Sequence, residues 1–500
     1  MDTVEEVNKT EKKRGGLAII ATLYLLGIFI GALDTGIVTP ARTVVQDEFG
    51  INDATGVWII TIYTLAYAVA IPIMGKLADR RGRKIVYLIA VFLFGLGSLG
   101  CGLSQAAGSF ELLLLARVIQ AIGGGGILPV ATAEFGTAFP EEKRGMALGF
   151  VGMAYGVANI LGATAGSAIM DIFGNNHWPY VFYINIPICA VIIILGIFYL
   201  PNSTSEETQP LDFLGIGLLT LITLGVMYGL KNIDFTDVPD SLASTDVYPY
   251  LLGALVLLPF FFWREKRASD PVMNLGYFTN RDILLTMIIS IVTGIILMGS
   301  VFVPQFGENA LGMEEGSGGY LVMVLAVFSG IGAPVSGKLI DRFGVKPILG
   351  IGLLGSMAGG LYAYYVTADN PTWTNVIICL VLLGFGLGFT MGTPLNYMML
   401  AKTEEREANS ALATLSLVRS IGTALGPSVM VAFITVAGAK IPERIAANPS
   451  QADTIARMTI NEGFGHMFLF VAQISLVALV LLLFYREEKK KVAVDALPAV

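Results

Sequence analysis

The chain has 500 residues, of which 55% are hydrophobic and only 14% are charged. Its mean hydropathy of +0.72 excludes a soluble protein of ordinary make-up and predicts a chain that lies in a membrane. The net charge of −7 says little about partners, because in a membrane protein the distribution of Lys and Arg over the loops matters more than their sum. We expect contact with membrane lipid and no nucleic-acid partner.

Fourteen apolar segments approach the roughly 20 residues that a helix needs to cross the hydrocarbon layer. The first follows a basic stretch and carries no cleavage signature, so we interpret it as an uncleaved span. The segment 249–263 is short. In chain order the predicted spans are 17–38, 55–74, 85–103, 111–134, 146–169, 179–199, 212–231, 249–263, 283–303, 318–336, 348–366, 374–400, 410–436 and 464–485.

The basic residues fix the predicted orientation. If the N-terminus lies in the cytoplasm, 24 of the 31 Lys and Arg residues fall on cytoplasmic segments. Cytoplasmic loops of membrane proteins carry such an excess. The sequence therefore predicts a multi-pass protein of the cell membrane with both termini in the cytoplasm. An outer loop at 437–463 contains a polar, partly helical stretch to which we assign no role.

One pattern of thirteen residues occurs twice, at 72–84 and again 262 positions later at 334–346. Each copy is a charged turn between two apolar runs, so the repeated unit is a pair of membrane helices. Internal repeats of this kind are typical of transporters built from two related halves. We predict a six-helix bundle in 1–200, a linker with two inserted helices in 201–282, a second six-helix bundle in 283–486 and a cytoplasmic tail in 487–500.

Three motifs carry a family resemblance. Gly75-Lys-Leu-Ala-Asp-Arg-Arg-Gly-Arg-Lys84, Arg117-Val-Ile-Gln-Ala-Ile-Gly123 and Ala32-Leu-Asp-Thr-Gly-Ile-Val38 together resemble the major facilitator superfamily, in its fourteen-span drug:proton antiporter group. The resemblance implies an all-α integral membrane protein of the major facilitator fold, with fourteen transmembrane helices in two bundles plus two inserted helices. It also implies alternating access driven by the proton gradient, no cofactor and no enzymatic activity. One departure is Gly162-Ala163, where antiporters of this kind carry a Gly-Pro pair.

Asp34 and Arg117 are the candidate proton-coupling residues. Asp34 is the only charged residue in 17–38, and an isolated carboxylate in hydrocarbon costs about 2.5–3.5 kcal/mol. The predicted orientations place both residues at similar depth in neighbouring helices. Burial disfavours the carboxylate anion whereas Arg117 stabilises it, so a change in either would link protonation to conformation. The alternative is a static ion pair that only fixes helix packing.

The repeated motif predicts paired latches between the two halves. A signal for topology alone would need only positive charge, yet both copies also keep Gly and Asp. Glu134 and Arg419 are candidates for an inner gate, although Glu134 could instead be solvated at the interface. The other candidate gating residues are Gly75, Asp79, Arg80, Gly82, Arg83, Gly337, Asp341 and Arg342.

Candidate substrate contacts are polar or aromatic residues near the middle or inner part of the spans, together with one outer acid. Aromatic rings bind cations and flat apolar bodies without a fixed geometry. The acid has the alternative of an exposed rim position, and most of the aromatics could serve only packing. The sequence contains no metal-ligand cluster. The candidates are Tyr63, Tyr67, Gln120, Asn159, Glu308, Asn396 and Tyr397.

These features predict a monomeric, proton-coupled exporter of small amphipathic, drug-like compounds. A lipid or glycolipid exporter of the same fold is the first alternative, because relatives that move lipids resemble this chain around Asp34 and have an arginine at the position of Arg419. Those relatives carry an acid where this chain has Gly156, which counts against that alternative. A membrane receptor or sensor that does not transport is the second alternative.

Overall fold

The computed structural model describes residues 2–38, 41–202, 212–313, 318–391, 393–447 and 449–487. Within these ranges the side chains of 2–17, 43, 53–54, 141–142, 159–160, 163, 175 and 319 are not described. The described part of the chain is helical and contains no strand. Its longer helices are α1 (Asp2–Ile37), α2 (Trp58–Arg81), α3 (Arg83–Ala107), α4 (Phe110–Ala138), α5 (Glu141–Phe173), α6 (Asn185–Tyr199), α7 (Phe213–Lys231), α8 (Tyr248–Glu265), α9 (Arg281–Met298), α10 (Gly319–Phe343), α11 (Val345–Tyr362), α12 (Trp373–Thr390), α13 (Thr393–Leu400), α14 (Ala408–Gly438) and α15 (Ala452–Leu483).

Side chains at several helix starts explain where these helices begin. Ser109, Asp212, Asn280 and Thr372 precede α4, α7, α9 and α12, and each accepts a hydrogen bond from a backbone N–H of the first turn. Such caps satisfy N–H groups that have no partner inside the helix. The shorter helices lie at Arg42–Phe49, Asp53–Gly56, Tyr180–Tyr183, Val238–Ala243, Gly276–Thr279, Val303–Leu311 and Ile441–Ala447.

Twelve helical segments in the described ranges are long and apolar enough to cross a membrane, whereas the sequence predicted fourteen. The two predicted spans outside this set correspond to α5 and α8. Helix α8 has only 18 residues, and it ends with the charged pair Arg264 and Glu265. Helix α5 has 33 residues, three of which, at 159–160 and 163, are not described beyond the backbone.

The charged turns of the repeated motif are helical, which corrects the predicted spans. Helix α2 continues through Arg81 and α10 continues through Phe343. Only Gly82 and Gly344 separate each helix from the next, and both have a φ of 87° that favours glycine. The apolar pattern stops at the membrane boundary, so the spans predicted from it end before the helices do. Lys, Ala and Arg residues continue a helix equally well in water.

The predicted span 374–400 is broken into α12 and α13, which is a second correction. Helix α12 ends at Thr390, Met391 is extended with φ −79° and ψ 124°, and α13 begins at Thr393. Pro394 lacks an N–H and cannot donate to the carbonyl oxygen of Thr390, so the hydrogen bonding of a continuous helix is interrupted here. Hydropathy alone does not reveal this break, because the residues on both sides of it are apolar.

The two halves meet through two helix pairs that the repeat relates to each other. Helix α2 packs against α14, and α10, which carries the second motif copy, packs against α5. The helices approach closely at glycine. A Cβ atom on Gly337 would lie 2.2 Å from the carbonyl oxygen of Gly145, and one on Gly75 would lie 2.4 Å from Cβ of Ala413. These glycines allow the backbones to approach, as is common in membrane helix interfaces.

Both helix pairs meet at the same end of the bundle, which we call the latch end. Helices α2 and α10 end there, and α5 and α14 begin there. A Cβ atom on Gly136, near the end of α4, would lie 2.3 Å from Cδ1 of Leu400 at the end of α13, which connects the halves at this level. Helices α7 and α8 pack on each other, and α7 contacts α2 and α14, so this pair lies beside the interface between the halves.

Candidate functional site

Asp34 on α1 and Arg117 on α4 form an ion pair in the interior of the first half. Nη1 of Arg117 lies 2.7 Å from Oδ2 of Asp34, and the two side chains are 2% and 0% exposed. Gln120, one helical turn after Arg117, donates from Nε2 to Oδ1 of Asp34 at 2.8 Å. Nη1 of Arg117 also donates to Oε1 of Gln120 at 2.6 Å. Both carboxylate oxygens are therefore bonded by partners on α4.

Two further residues complete this network, and sequence reasoning missed both. Asn185 at the start of α6 donates to Oδ1 of Asp34 at 3.1 Å, and Ser98 on α3 accepts from Gln120 at 2.8 Å. Both are fully buried. The available signal was an amide or hydroxyl inside an otherwise apolar span. Four helices thus contribute to the network, so a change in the charge of Asp34 is felt by α1, α3, α4 and α6.

Arg117 is held from its other side by α2. Its guanidinium carbon lies 4.0 Å from the centre of the Tyr63 ring, and Nε donates to the carbonyl oxygen of Ile59 at 3.3 Å. The Tyr63 ring stacks on Tyr67 with centres 6.0 Å apart. Tyr63 and Gln120, both predicted to contact substrate, thus belong to the Asp34 network in this conformation. Protonation of Asp34 would leave Arg117 with weaker acceptors, so proton binding has a direct route to helix packing.

The first latch consists of Asp79 near the end of α2 and the residues Asn409 and Ser410 at the start of α14. The backbone N–H groups of Asn409 and Ser410 donate to its carboxylate at 3.2 and 2.8 Å. Nδ2 of Asn409 donates at 2.6 Å, and the Ser410 hydroxyl donates as well. An anion at this place meets N–H groups without helical partners and the positive end of the helix dipole.

The second latch consists of Asp341 near the end of α10 and the residues Gly145 and Met146 of α5. Their backbone N–H groups donate to Oδ1 and Oδ2 of Asp341 at 2.8 and 3.0 Å. In both latches, an acid of the repeated motif therefore binds a helix of the opposite half. The guanidinium carbon of Arg342, a predicted gating residue, lies 5.1 Å from the centre of the Phe343 ring.

The basic residues of the first motif copy make separate ion pairs. Lys76 and Arg80 both contact Asp270, which follows α8, with Nη1 of Arg80 at 3.3 Å from Oδ2. Nη1 of Arg83 lies 3.1 Å from Oε2 of Glu134. Glu134, predicted to form a gate with Arg419, is engaged with the neighbouring helix α3 in this structure, and the gate stays a prediction.

Arg419 lies on α14 beside a cavity of about 20 Å³ where the two halves meet. Helices α4 and α5 of the first half contribute Thr132 and Tyr155, and the second half contributes Met391, Asn396 and Ser416. Asn396, predicted to contact substrate, is 5% exposed here. A larger groove of about 400 Å³ lies farther along α14, between Val429 and Lys440, away from both networks.

The remaining predicted substrate residues divide into three cases. Oε1 of Glu308 accepts a hydrogen bond from the backbone N–H of Gly318 at 3.0 Å, so this acid makes a local structural contact. Tyr397 packs against the hydrophobic core. Asn159 lies in α5, but its side chain is outside the described residues.

Glu265 at the end of α8 adds a titratable group near the first latch. It is 3% exposed, and Oε2 accepts from the backbone N–H of Met273 at 3.2 Å. Burial, together with nearby Asp212, raises the pKa of Glu265 to about 7, although the hydrogen bond from Met273 and the charge of Lys76 act to lower this pKa. Asp212 itself is paired with Arg264 at 2.8 Å. This acid therefore titrates near neutral pH.

No group of three or more His, Cys, Asp or Glu side chains able to hold a metal ion occurs among the described residues. Cys101, Cys189 and Cys379 are buried and unbridged.

Comparison with known proteins agrees with this architecture. The sequence pattern of the Major Facilitator Superfamily matches residues 24–427 and 300–499. The chain is 37% identical to the uncharacterized MFS-type transporter YfiU of Bacillus subtilis, over 89% of this chain and 84% of the relative. It is 29% identical to Multidrug resistance protein 3 of the same species, over 85% and 80%.

A triacylglyceride transporter of Mycolicibacterium smegmatis is 31% identical, over 84% of this chain and 76% of the relative. Among solved structures, the proton:xylose symporter XylE superposes with a TM-score of 0.63 at 13% identity, over 94% and 95% of the two chains, which shows the shared fold. The repeat, the paired helices at the interface and these matches lead to one conclusion. The chain belongs to the Major Facilitator Superfamily and is a membrane transporter, not an enzyme.

Proposed function

We propose that this protein is a proton-coupled exporter of small amphipathic compounds that works by alternating access. The observation that carries the proposal is the buried Asp34–Arg117 pair, an acid inside the membrane whose bonding partners come from two other helices, α4 and α6. Ionisable residues at such positions are typical of proton pathways. The name of Multidrug resistance protein 3 supports drug-like cargo.

The latches support the conformational half of the proposal. Both join the halves at the latch end, so this structure corresponds to a conformation closed at that end. The excess of Lys and Arg assigns the latch end to the cytoplasm. Opening then requires both acids to leave the helices of the opposite half, and protonation of Asp34 would bias this change through α1 and α4.

We also propose that α5 and α8 cross the membrane, which gives fourteen spans in a cell-membrane protein with cytoplasmic termini. Helix α5 packs along α1 and α10 within the bundle, and α8 packs on α7. The two bundles would then comprise 1–200 and 283–486, with the inserted pair α7 and α8 between them.

Lipid cargo is the second candidate function. It is favoured by the likeness to the triacylglyceride transporter. Gly156 counts against it, because lipid-moving relatives carry an acid at this position by ungapped alignment. A Cβ atom on Gly156 meets only Oγ of Ser329 at 3.6 Å, so this chain has room for an acid and lacks one.

Transport in proteoliposomes with an imposed pH gradient tests the proposal. Soluble cationic, neutral and anionic dyes and a fluorescent phospholipid would be screened separately, and proton movement would be followed with an internal pH indicator. Asp34→Asn should abolish gradient-driven transport, because the side chain can no longer gain or lose a proton. The matched control is Asp369→Asn, which changes an exposed acid outside both networks.

Three outcomes distinguish the alternatives. Movement of lipid without movement of the dyes would establish the lipid reading. A gradient-driven rate in Asp34→Asn equal to that of the control would move the coupling site elsewhere. Failure of the purified protein to move any substrate would favour a receptor or sensor.

A further inference from the structure

Arg419 is a partly buried cation that forms no ion pair with a described residue. Its Nε and Nη2 atoms are inaccessible to solvent and have no hydrogen-bond partner among the described residues. Arg117, at 1% exposure, has Asp34, Gln120 and the carbonyl oxygen of Ile59 as partners. Desolvated N–H groups of a cation without an acceptor are unfavourable, so they point to a partner that arrives from outside the chain.

The described surroundings of Arg419 are uncharged. Thr132, Tyr155, Asn396 and Ser416 line the same cavity together with apolar residues, and no acid among the described residues does. The break between α12 and α13 places Met391 in the lining, so irregular backbone reaches the cavity between the halves. Interrupted helices next to a cavity are a common feature of transporter binding sites.

We propose that Arg419 binds an anionic group of the transported compound, such as a carboxylate, sulfonate or phosphate. This inference rests on the proposed function and narrows it, since the cargo would be an amphipathic anion. A guanidinium presents parallel N–H groups that match the two oxygens of such an anion. The hydroxyl and amide groups of Tyr155, Asn396 and Ser416 would complete the hydrogen bonding.

The size of the cavity sets when the anion binds. About 20 Å³ is close to the space of one water molecule, so the latched conformation cannot hold a whole amphipathic compound. Because lining residues come from both halves, separation of the halves enlarges the space around Arg419. The anionic cargo therefore binds in the conformation with open latches. The positive charge of the Arg419 guanidinium is balanced only when cargo is present.

The test compares two probes that share one skeleton. 1-Anilinonaphthalene-8-sulfonate is an amphipathic anion, and N-phenyl-1-naphthylamine is its neutral counterpart. Binding to the full-length protein in phosphatidylcholine nanodiscs would be measured by energy transfer from tryptophan, after subtraction of the signal from empty nanodiscs. The wild type should bind the sulfonate more tightly than the neutral probe.

Arg419→Gln should weaken binding of the sulfonate roughly 30-fold or more, because it removes one partner of a buried charge pair. Binding of the neutral probe should change less than twofold. Arg419→Lys should retain part of the preference for the anion. The matched control Arg406→Gln removes an arginine whose side chain is 69% exposed, and it should bind both probes like the wild type.

A second variant guards against a folding defect in Arg419→Gln. Ser416→Glu places an acid one helical turn from Arg419, within reach of an intrahelical pair. It should reduce sulfonate binding while keeping the arginine in place. Equal binding of the two probes by the wild type, no binding of the sulfonate, or full sulfonate binding by Arg419→Gln would each overturn the inference.

The two proposals fail in different ways. If proton-coupled transport occurs but only neutral or cationic compounds bind and move, the exporter remains and the anion site is wrong. If the sulfonate binds through Arg419 but no gradient drives its movement, the anion site stands and the proposed exporter is wrong.

Discussion

Each of the two latches contains one aspartate, but the groups that donate hydrogen bonds to that aspartate differ. Asp79 accepts hydrogen bonds from two backbone N–H groups and from the side chains of Asn409 and Ser410, and Asp341 accepts from the backbone N–H groups of Gly145 and Met146. The first acid contacts the opening turn of α14. The second contacts α5 several residues after its start at Glu141. The repeated motif therefore provides two equivalent aspartates, whereas the helices that they contact are not equivalent.

The contact with the opening turn of α14, where the helix dipole is strongest, implies that the first latch holds the two halves more strongly. A hydrogen bond contributes about 0.5–1.5 kcal/mol net, and the side chains of Asn409 and Ser410 provide two to the first latch. Asp270, which follows α8, also forms ion pairs with Lys76 and Arg80 beside this latch. We call these three residues the brace, because they connect the first latch to the inserted helices. Release of the first latch should accordingly limit opening at the latch end.

The largest effect should come from Asp79→Asn. The carboxamide keeps one acceptor oxygen but loses the charge, so the closed state should lose roughly 2 kcal/mol, about a 30-fold change in the closed-to-open ratio. Spin labels on exposed Arg81 and Glu405, measured by double electron–electron resonance, would report the added separation. An unchanged distance distribution would reduce the motif to a signal for topology.

A smaller effect should follow when the first latch is made to resemble the second. Asn409→Ala combined with Ser410→Ala removes both side-chain donors and keeps the backbone N–H groups. The ratio should shift roughly tenfold toward open, because two hydrogen bonds to a partly buried carboxylate are lost. The same labels measure it, with Ser420→Ala, a hydroxyl on the same helix away from the latch, as the control. A shift equal to that of Asp79→Asn would mean that the backbone contacts contribute nothing.

Asp341→Asn should shift the ratio less, roughly fivefold, because this acid contacts α5 beyond its first turn, where the helix dipole is weaker. Labels on exposed Lys143 and Arg342 follow the second latch. If this variant opens the protein as far as Asp79→Asn does, the two latches are equivalent despite their different partners.

The smallest effect concerns Glu265, which lies near Lys76 of the brace, and it depends on pH. The pKa of Glu265, about 7, lies above its ordinary value of 4.5, so the folded protein keeps this proton after the unfolded chain has lost it. Stability should therefore fall as the pH rises from about 4.5 to 7 and become level above that range. Glu265→Gln should remove this slope in the melting temperature, whereas Glu405→Gln, at an exposed acid, should keep it. An identical slope in both variants would assign the titration to other groups.

Much of this architecture is predictable from the sequence because it depends on local composition. Apolar runs of spanning length, the thirteen-residue repeat and a single acid in 17–38 predict the helices, the two halves and the importance of Asp34. The helical turns of the motif and the break at Met391 are missed for a physical reason. Hydropathy measures transfer into lipid, whereas helix continuity depends on Gly82, Gly344 and Pro394, which change hydropathy little.

What the sequence by itself determined is which residues carry charge into the membrane, because that cost is set by the side chain and its span. Only the tertiary structure decided which side chains contact each other. Asn185 and Ser98 join Asp34, Glu134 binds Arg83, and Arg419 is left beside a cavity of neutral groups. These pairings depend on helices far apart in the chain, and the helix packing that brings them together is not encoded in any single segment.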